Sequence, residues 1–387
     1  MRHFPFFSAL SAPRAQRAVK NITASAPFDN PAALAYSVGC FLSILRKVRP
    51  IFLHRKLWII LGLITLLAAA AAAVGWLGLQ RYARTPAQIG AQPMVVLVPA
   101  GQDFRTLARR LQADGLIRDP RKLRILARLE GFDRIIQVGE YELSAAMTPR
   151  AILEILASGK VRLHRLTIPE GFNLGQVADA AADAGLAAHD AFYASATDPD
   201  FARQLEIPAD SCEGYLFPDT YHFPRDTTPS KIITTMVGHF RSAVTPAWQL
   251  QLDTLGWTLH QAVILASIIE KETGTAAERA VISSVFHNRL KKGMRLESDP
   301  TVIYDIPEFD GNLTREHLRA PTPYNTYQIP GLPPGPIANP GVAALQAALF
   351  PAETDYLFFV AKGDQTHYFS TTLAEHNRAV QKYQLRQ

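Results

Sequence analysis

The sequence predicts an α+β protein held to a bilayer by a single N-terminal transmembrane helix. Three observations predict it: an uncharged apolar run from Leu57 to Leu79, a strand–turn–helix pattern written twice at an offset of 70 residues, and a strong helix at Trp257–Lys271 followed by rigid loops. The 387 residues leave room for two or three domains. With 48% apolar and 19% charged residues, the chain can bury real cores and is not disordered as a whole.

The apolar run comes first. Leu57–Leu79 holds 23 residues without an ionisable side chain. A helix of that length, at about 1.5 Å per residue, covers a hydrocarbon core of about 30 Å. Trp58 and Trp76 fall near its ends, where interfacial aromatics belong. A cleaved signal peptide is the main rival, but it would occupy roughly the first 15–30 residues. Arg46, Lys47, Arg49, Arg55 and Lys56 precede the run, while only Arg81 and Arg84 closely follow it. The positive-inside rule therefore makes residues 1–56 a basic cytoplasmic segment and puts everything beyond Leu79 outside. Residues 1–45 show no firm period and read as an extension. Cys40 and Cys212 then lie on opposite sides of the membrane, and two cysteines exclude a disulfide scaffold or a four-cysteine zinc module.

The net charge of +6 is a local matter. Residues 1–56 hold nine Lys/Arg against Asp29 alone, a balance of +8, so the remaining 331 residues carry 31 basic and 33 acidic side chains, or −2. No electrostatic case for a nucleic-acid partner survives that division.

A linker, 80–93, leads to the outer part. Met94–Val98 is a β-rich run ended by Pro99-Ala100-Gly101, after which Phe104, Leu107, Ala108 and Leu111 recur at helical spacing up to Asp114-Gly115. The pattern returns as Leu166-Thr167-Ile168, Pro169-Glu170-Gly171, then Leu174, Val177, Ala178 and Ala181, then Ala184-Gly185. The first copy, taken as a domain over 94–166 with a helix near 120–130 and a strand at Val138–Leu143, resembles a LysM-like fold, which implies glycan binding. Ordinary β/α units packed on the next domain would give the same pattern.

The segment Glu213–Tyr221 is dense in aromatics and carries Glu213 and Asp219; aromatic faces stack on sugars and carboxylates hold hydroxyls, although such a segment also serves as a strand and turn of a core. The helix Trp257–Lys271 places Val263, Ala266, Ser267 and Glu270 along one face, so Glu270 ends an apolar stripe. Glu272 is rotated by about 200° from it and faces apart. A second helix is expected over Glu278–Lys292, followed by Glu297-Ser298-Asp299-Pro300-Thr301, by Thr322–Tyr327, and by a Pro/Gly-rich loop at 331–341. So much rigid loop after two helices points to a shaped cleft. There is no His-Glu-x-x-His, Walker loop, Gly-x-Ser-x-Gly or Cys-x-x-Cys, so neither metal nor cofactor is expected. His287, His367 and His376 read as structural. A glycosidase-type acid needs only a desolvated carboxylate in a sugar-lined groove.

Ala266–Thr273, Ser284–Leu290, Met294–Tyr304, Pro323–Tyr327 and Gly331–Ile337 together resemble the endolytic murein transglycosylase (YceG-like) family, over most of residues 94–387. The resemblance implies a mixed α/β catalytic domain over 167–387 in a bacterial inner-membrane protein, with that domain in the periplasm. Its substrate would be nascent peptidoglycan strands, cut internally to end their elongation, with the bilayer and peptidoglycan synthases as further partners. It also implies that Glu270 is the catalytic acid: it protonates the oxygen between N-acetylmuramic acid and N-acetylglucosamine, then takes the proton of the muramyl 6-hydroxyl as a 1,6-anhydro ring closes. Asp299, Asn325 and Tyr327 are expected as positioning groups, with Tyr324, Glu213 and Asp219 as further substrate contacts. A water-using muramidase and a non-enzymatic glycan binder are the alternatives. The long N-terminal extension departs from the short tail usual in the family.

Overall fold

The computed structural model describes the backbone of residues 31–385 and side chains from residue 55 on. Residues 1–30, which include most of the expected extension, lie outside the described residues. Residues up to Tyr82 and residues from Ala83 on form two separate units.

The first unit is a helix, α1 (Pro31–Ala83), that takes in residues 31–45 as well, where the sequence has no firm period. Its stretch Arg55–Arg84 is long and apolar enough to cross a membrane and is not buried by protein. The helix overruns the expected 57–79 span and ends inside the segment expected as linker.

The second unit opens with the repeat. Strand β1 (Met94–Val98) is followed by α2 (Phe104–Ala113), α3 (Pro120–Glu130) and β2 (Gly139–Leu143), and the two strands pair antiparallel with Val96 opposite Tyr141. Helix α4 (Pro149–Ser158) closes this module. The second copy runs from β3 (Leu163–Thr167) through α5 (Leu174–Asp183) to β4 (Thr220–Pro224), antiparallel to β3, but inserts α6 (His189–Ala196) and α7 (Pro199–Gln204). The offset of 70 has a backbone cause. Gly101 and Gly171 sit at φ +76° and +78°, and Gly115 and Gly185 at +73° and +67°, a left-handed conformation that glycine adopts at least cost. Asp103 and Asn173 cap the two helices by accepting the amides of Thr106 and Gln176. Strand β3 runs across the 166/167 position expected as a domain boundary.

The copies are joined by Glu140 on β2, 4% exposed, whose carboxylate accepts Arg225 Nη1 at 2.6 Å and faces His164 Nε2 at 2.8 Å. Hydrogen bonds from Arg225 and His164 hold its pKa below the usual carboxylate range against burial.

The core lies around α10 (Leu259–Glu272), reached through α8 (Pro229–Ala243) and α9 (Pro246–Leu255). Ala262 to Ile269 are buried without a break, so α10 is enclosed all round and not striped on one face as its spacing suggested. Its start is fixed by a capping box between Thr258 and Gln261. Helices α11 (Arg279–Lys291) and α14 (Val342–Leu349) pack beside it. Short helices α12 (Asp299–Tyr304) and α13 (Arg315–Arg319) lead into the Pro/Gly-rich loop. A hairpin of β5 (Phe358–Ala361) and β6 (His367–Ser370), with α15 (Leu373–Tyr383), completes the unit.

Candidate active site

The C-terminal turn of α10 carries two carboxylates. Glu270 and Glu272 do face apart. Glu270, its side chain 8% exposed, accepts the Gly341 amide at Oε2 over 3.0 Å and lies 3.8 Å from Arg279 Nη2. The turn Pro169–Gly171 packs against its stem: a Cβ on Gly171 would stand 3.5 Å from Glu270 Cγ, and Lys271 Nζ donates to the Gly171 carbonyl at 3.3 Å. Burial raises its pKa, the Gly341 amide opposes that, and Glu170 nearby adds to the rise.

Glu272 looks the other way, into the loops. Ser298 Oγ donates to its Oε1 at 2.5 Å, and among the described residues its second oxygen has no hydrogen-bond partner. Glu272 is partly exposed as a residue, yet its carboxyl is desolvated and its pKa is pushed up to about 7; Asp299 adds to the rise, while Ser298 and Arg289 oppose it. It lines a cavity of about 390 Å³ together with Arg289, Asp299, Tyr327, His367 and His376. Asp299 and Tyr327, expected as positioning groups, meet Glu272 and not Glu270.

The rest of this cavity is held rigidly. Tyr327 donates to Asp299 Oδ1 at 2.7 Å. Arg289, 7% exposed, gives Nε to the Leu357 carbonyl at 2.7 Å and Nη1 to the Leu296 carbonyl at 2.9 Å and to Glu297 Oε2 at 3.0 Å. Ser298 is fixed through its amide, which donates to Thr326 Oγ1 at 2.9 Å, and Thr301 Oγ1 lies 2.8 Å from the same hydroxyl. Glu297, immediately before Ser298, adopts φ +50°, a strained backbone for a residue with a side chain, of the kind that clusters at working sites. His367 pairs with Glu278 at 2.8 Å while lining the cavity; His287 is structural as expected, bonded to the Ala348 carbonyl and stacked on Trp257.

The remaining expected contacts lie elsewhere. Asn325 is fully buried: its Nδ2 reaches the carbonyls of His317, Leu318 and Ala320, and its Oδ1 accepts the Tyr327 amide at 3.0 Å. It pins the loop that presents Tyr327 and has nothing left to offer a sugar. Glu213 and Tyr324 line a second cavity of about 560 Å³, beside Pro334–Pro336. Glu213 is 3% exposed, and its oxygens accept the Leu174 amide at 3.0 Å, Tyr304 at 3.1 Å and Asn339 Nδ2 at 3.3 Å. Burial pushes its pKa up to about 7. Asp219 lies in neither cavity; it accepts the Thr220 amide and faces His239 Nδ1 at 3.2 Å. No cluster of His, Cys, Asp and Glu among the described residues could hold a metal.

The sequence did not single out Arg289, which lines the cavity beside Glu272, or Ser298, which bonds its carboxylate. Arg289 and Ser298 stand inside the motifs quoted above, but nothing in their spacing says that a helix end and two loops converge.

A profile of the YceG-like family matches residues 96–382. An endolytic murein transglycosylase of Bacillus subtilis (strain 168) is 35% identical over 302 residues, covering 74% of this chain and 83% of that protein. One of Streptococcus pneumoniae serotype 2 (strain D39) is 27% identical over 323 residues, and there the match covers 75% of this chain and 58% of the longer relative. The crystal structure of a yceG-like protein from Listeria monocytogenes superposes with a TM-score of 0.53 at 33% identity, covering 75% of this chain and all of that one. With nearly the whole outer unit matched, this chain belongs to the YceG-like family.

Proposed function

We propose that this chain is a lytic transglycosylase, a lyase that cuts the N-acetylmuramic acid–N-acetylglucosamine bond inside peptidoglycan strands, with Glu272 as its acid and then its base. The names of its relatives support the reaction class. The observation that carries the assignment of the acid is the Glu272 carboxyl, raised to about 7 on the wall of a polar cavity that also holds the Asp299–Tyr327 pair. A general acid works best with a pKa near the working pH. Glu270, the residue singled out by resemblance, has a raised pKa as well, and the Gly171 turn packs against its Cγ.

In this reading protonated Glu272 gives its proton to the bridging oxygen as the bond from muramyl C1 breaks. The ionised carboxylate then takes the proton of the 6-hydroxyl, whose oxygen bonds to C1. Proton and bond counts close without water, so a second glycosidase carboxylate is not needed. Ser298 fixes the Glu272 rotamer, and Asp299–Tyr327 holds the sugar. The β/α modules extend glycan contact; the β–α–α–β order of residues 94–143 supports a LysM-like role for the first. The apolar helix anchors the enzyme in the inner membrane with residues 1–56 cytoplasmic and the outer unit periplasmic, where it ends the elongation of nascent strands beside peptidoglycan synthases.

Digestion of purified peptidoglycan by Glu272→Gln and Glu270→Gln enzymes tests the assignment. Loss of a general acid should cost at least about 10²-fold for Glu272→Gln, with Glu270→Gln much milder. The reverse order returns the acid role to Glu270. Two harmless substitutions would leave a non-enzymatic glycan binder.

A further inference from the structure

Helix α3 buries Leu123, Leu126 and Ala127 and turns the opposite face outward. At 100° per residue that outer face carries Arg121, Arg124, Ile125 and Arg128 together, with Leu129 at its border. Arg105, from the first turn of α2, joins them around a depression of about 450 Å³ that contains a single acid, Asp133. None of these four arginines forms an ion pair or a side-chain hydrogen bond among the described residues, although the neighbouring Arg110 and Arg150 both have carboxylate partners. Ile125 and Leu129 are 53% and 61% exposed within the same face.

The combination fits one kind of partner. Clustered arginines interleaved with Ile and Leu are the composition of a surface that lies on a membrane, with cations at the phosphates and aliphatic tips at the acyl boundary. Guanidinium groups also bind phosphate oxygens in a bidentate manner. The chain carries a helix long and apolar enough to cross a bilayer, and residues 84–93 between it and β1 can span at most about 35 Å. A bilayer surface is therefore within the reach of this module. We infer that the outer face of α3, with Arg105, is a docking surface for anionic phospholipid headgroups. The inference rests on the proposed membrane anchoring but not on the assignment of the catalytic acid. It gives the first module a partner besides glycan, and docking there would hold the outer unit close to the surface where new strands emerge.

The test uses the full-length chain in nanodiscs, with photo-reactive headgroup analogues of phosphatidylglycerol or phosphatidylcholine and mass-spectrometric mapping of the labelled peptides. Labelling from the anionic analogue should concentrate within residues 104–133 and fall at high salt, where exposed charges are screened. In the Arg121→Gln/Arg124→Gln/Arg128→Gln protein it should drop at least about tenfold, on the order of that expected from three basic contacts with an anionic surface. The melting temperature of the detergent-solubilised variant should match wild type, which separates lost docking from lost folding. Equal labelling by the zwitterionic analogue, or labelling indifferent to the three substitutions, would overturn the inference. So would displacement of the lipid by millimolar inorganic phosphate, which would make this a site for the free anion, or by soluble glycan strands, which would make it a sugar site.

Discussion

Tyr327 donates its phenolic proton to Asp299 Oδ1 at 2.7 Å, and burial together with this bond pushes the phenol pKa up. The phenol therefore stays protonated at any physiological pH, and the pair is a fixed hydrogen-bonding edge on the cavity that Glu272 lines. Tyr327→Phe removes the edge and keeps the ring. Because a hydrogen bond to a charged group contributes about 1.5–3 kcal/mol, we expect a loss of about 10- to 100-fold in cleavage rate, with little change in melting temperature. Asp299→Asn should be similar. A melting temperature that falls in parallel with the rate would reduce the pair to a loop fastener.

The raised carboxyls give stability a defined pH dependence. Glu272 and Glu213 both have folded-state values near 7 against about 4.5 as ordinary side chains. Between those values the folded protein binds more protons than the unfolded one, so stability falls as pH rises from about 4.5 to 7. The sign is that of a raised group: full stability below the unfolded pKa, lost through the folded one. A difference of that size corresponds to roughly 3 kcal/mol per group. Glu272→Gln should therefore melt higher than wild type at pH 8 and nearly equal to it at pH 4.5. Parallel melting curves of the two proteins across that range would contradict the buried, protonated state on which the acid role depends.

Glu140 acts with the opposite sign and in a lower window. Arg225 and His164 hold its pKa below the usual range, so its stabilising effect is present above the unfolded pKa and is lost as pH falls through the folded value. Glu140→Gln should cost about 2 kcal/mol at pH 7, the scale of charge-assisted hydrogen bonds at a buried carboxylate, and much less near pH 3. Chemical denaturation at the two pH values measures it. An equal cost at both would mean that shape, and not charge, joins the two repeats.

Much of the frame can be read from the residues, because local rules write it. The glycines at 101, 171, 115 and 185 mark left-handed turns, so the repeat shows as a constant offset. The apolar run and the helix at 259–272 need only composition and length. The site is less legible for a geometric reason. Two glutamates separated by one residue differ little in sequence, and it is the resemblance to the family that singles out Glu270, which also ends an apolar spacing. That spacing lost its meaning once α10 proved buried on every side. What distinguishes Glu272 is Ser298, 26 residues away, and the chain around Thr326, which fixes Ser298. Asn325 reads in sequence as a positioning group, and its bonds to three carbonyls make it the pin of the loop.

The chemistry of the product separates lyase from hydrolase. If one carboxyl serves as acid and then base, the nucleophile is the muramyl 6-hydroxyl, already part of the bound sugar. Intramolecular attack needs only O6 held over C1, and such positioning can supply about 7–11 kcal/mol of the barrier. New chain ends should then be 1,6-anhydromuramyl, one water lighter than reducing ends, and reactions in ¹⁸O-water should leave them unlabelled. The cavity offers a second carboxylate in Asp299, which a hydrolase could use to activate water. Its hydrogen bond from Tyr327 argues against that, since one of its oxygens is already committed to the phenol. Reducing muramyl ends carrying ¹⁸O as the main product would therefore overturn the transglycosylase reading and make Asp299 the general base of a muramidase. Asp299→Asn would then abolish cleavage to the same degree as Glu272→Gln, whereas in the lyase it should leave the slower enzyme making the same anhydro ends.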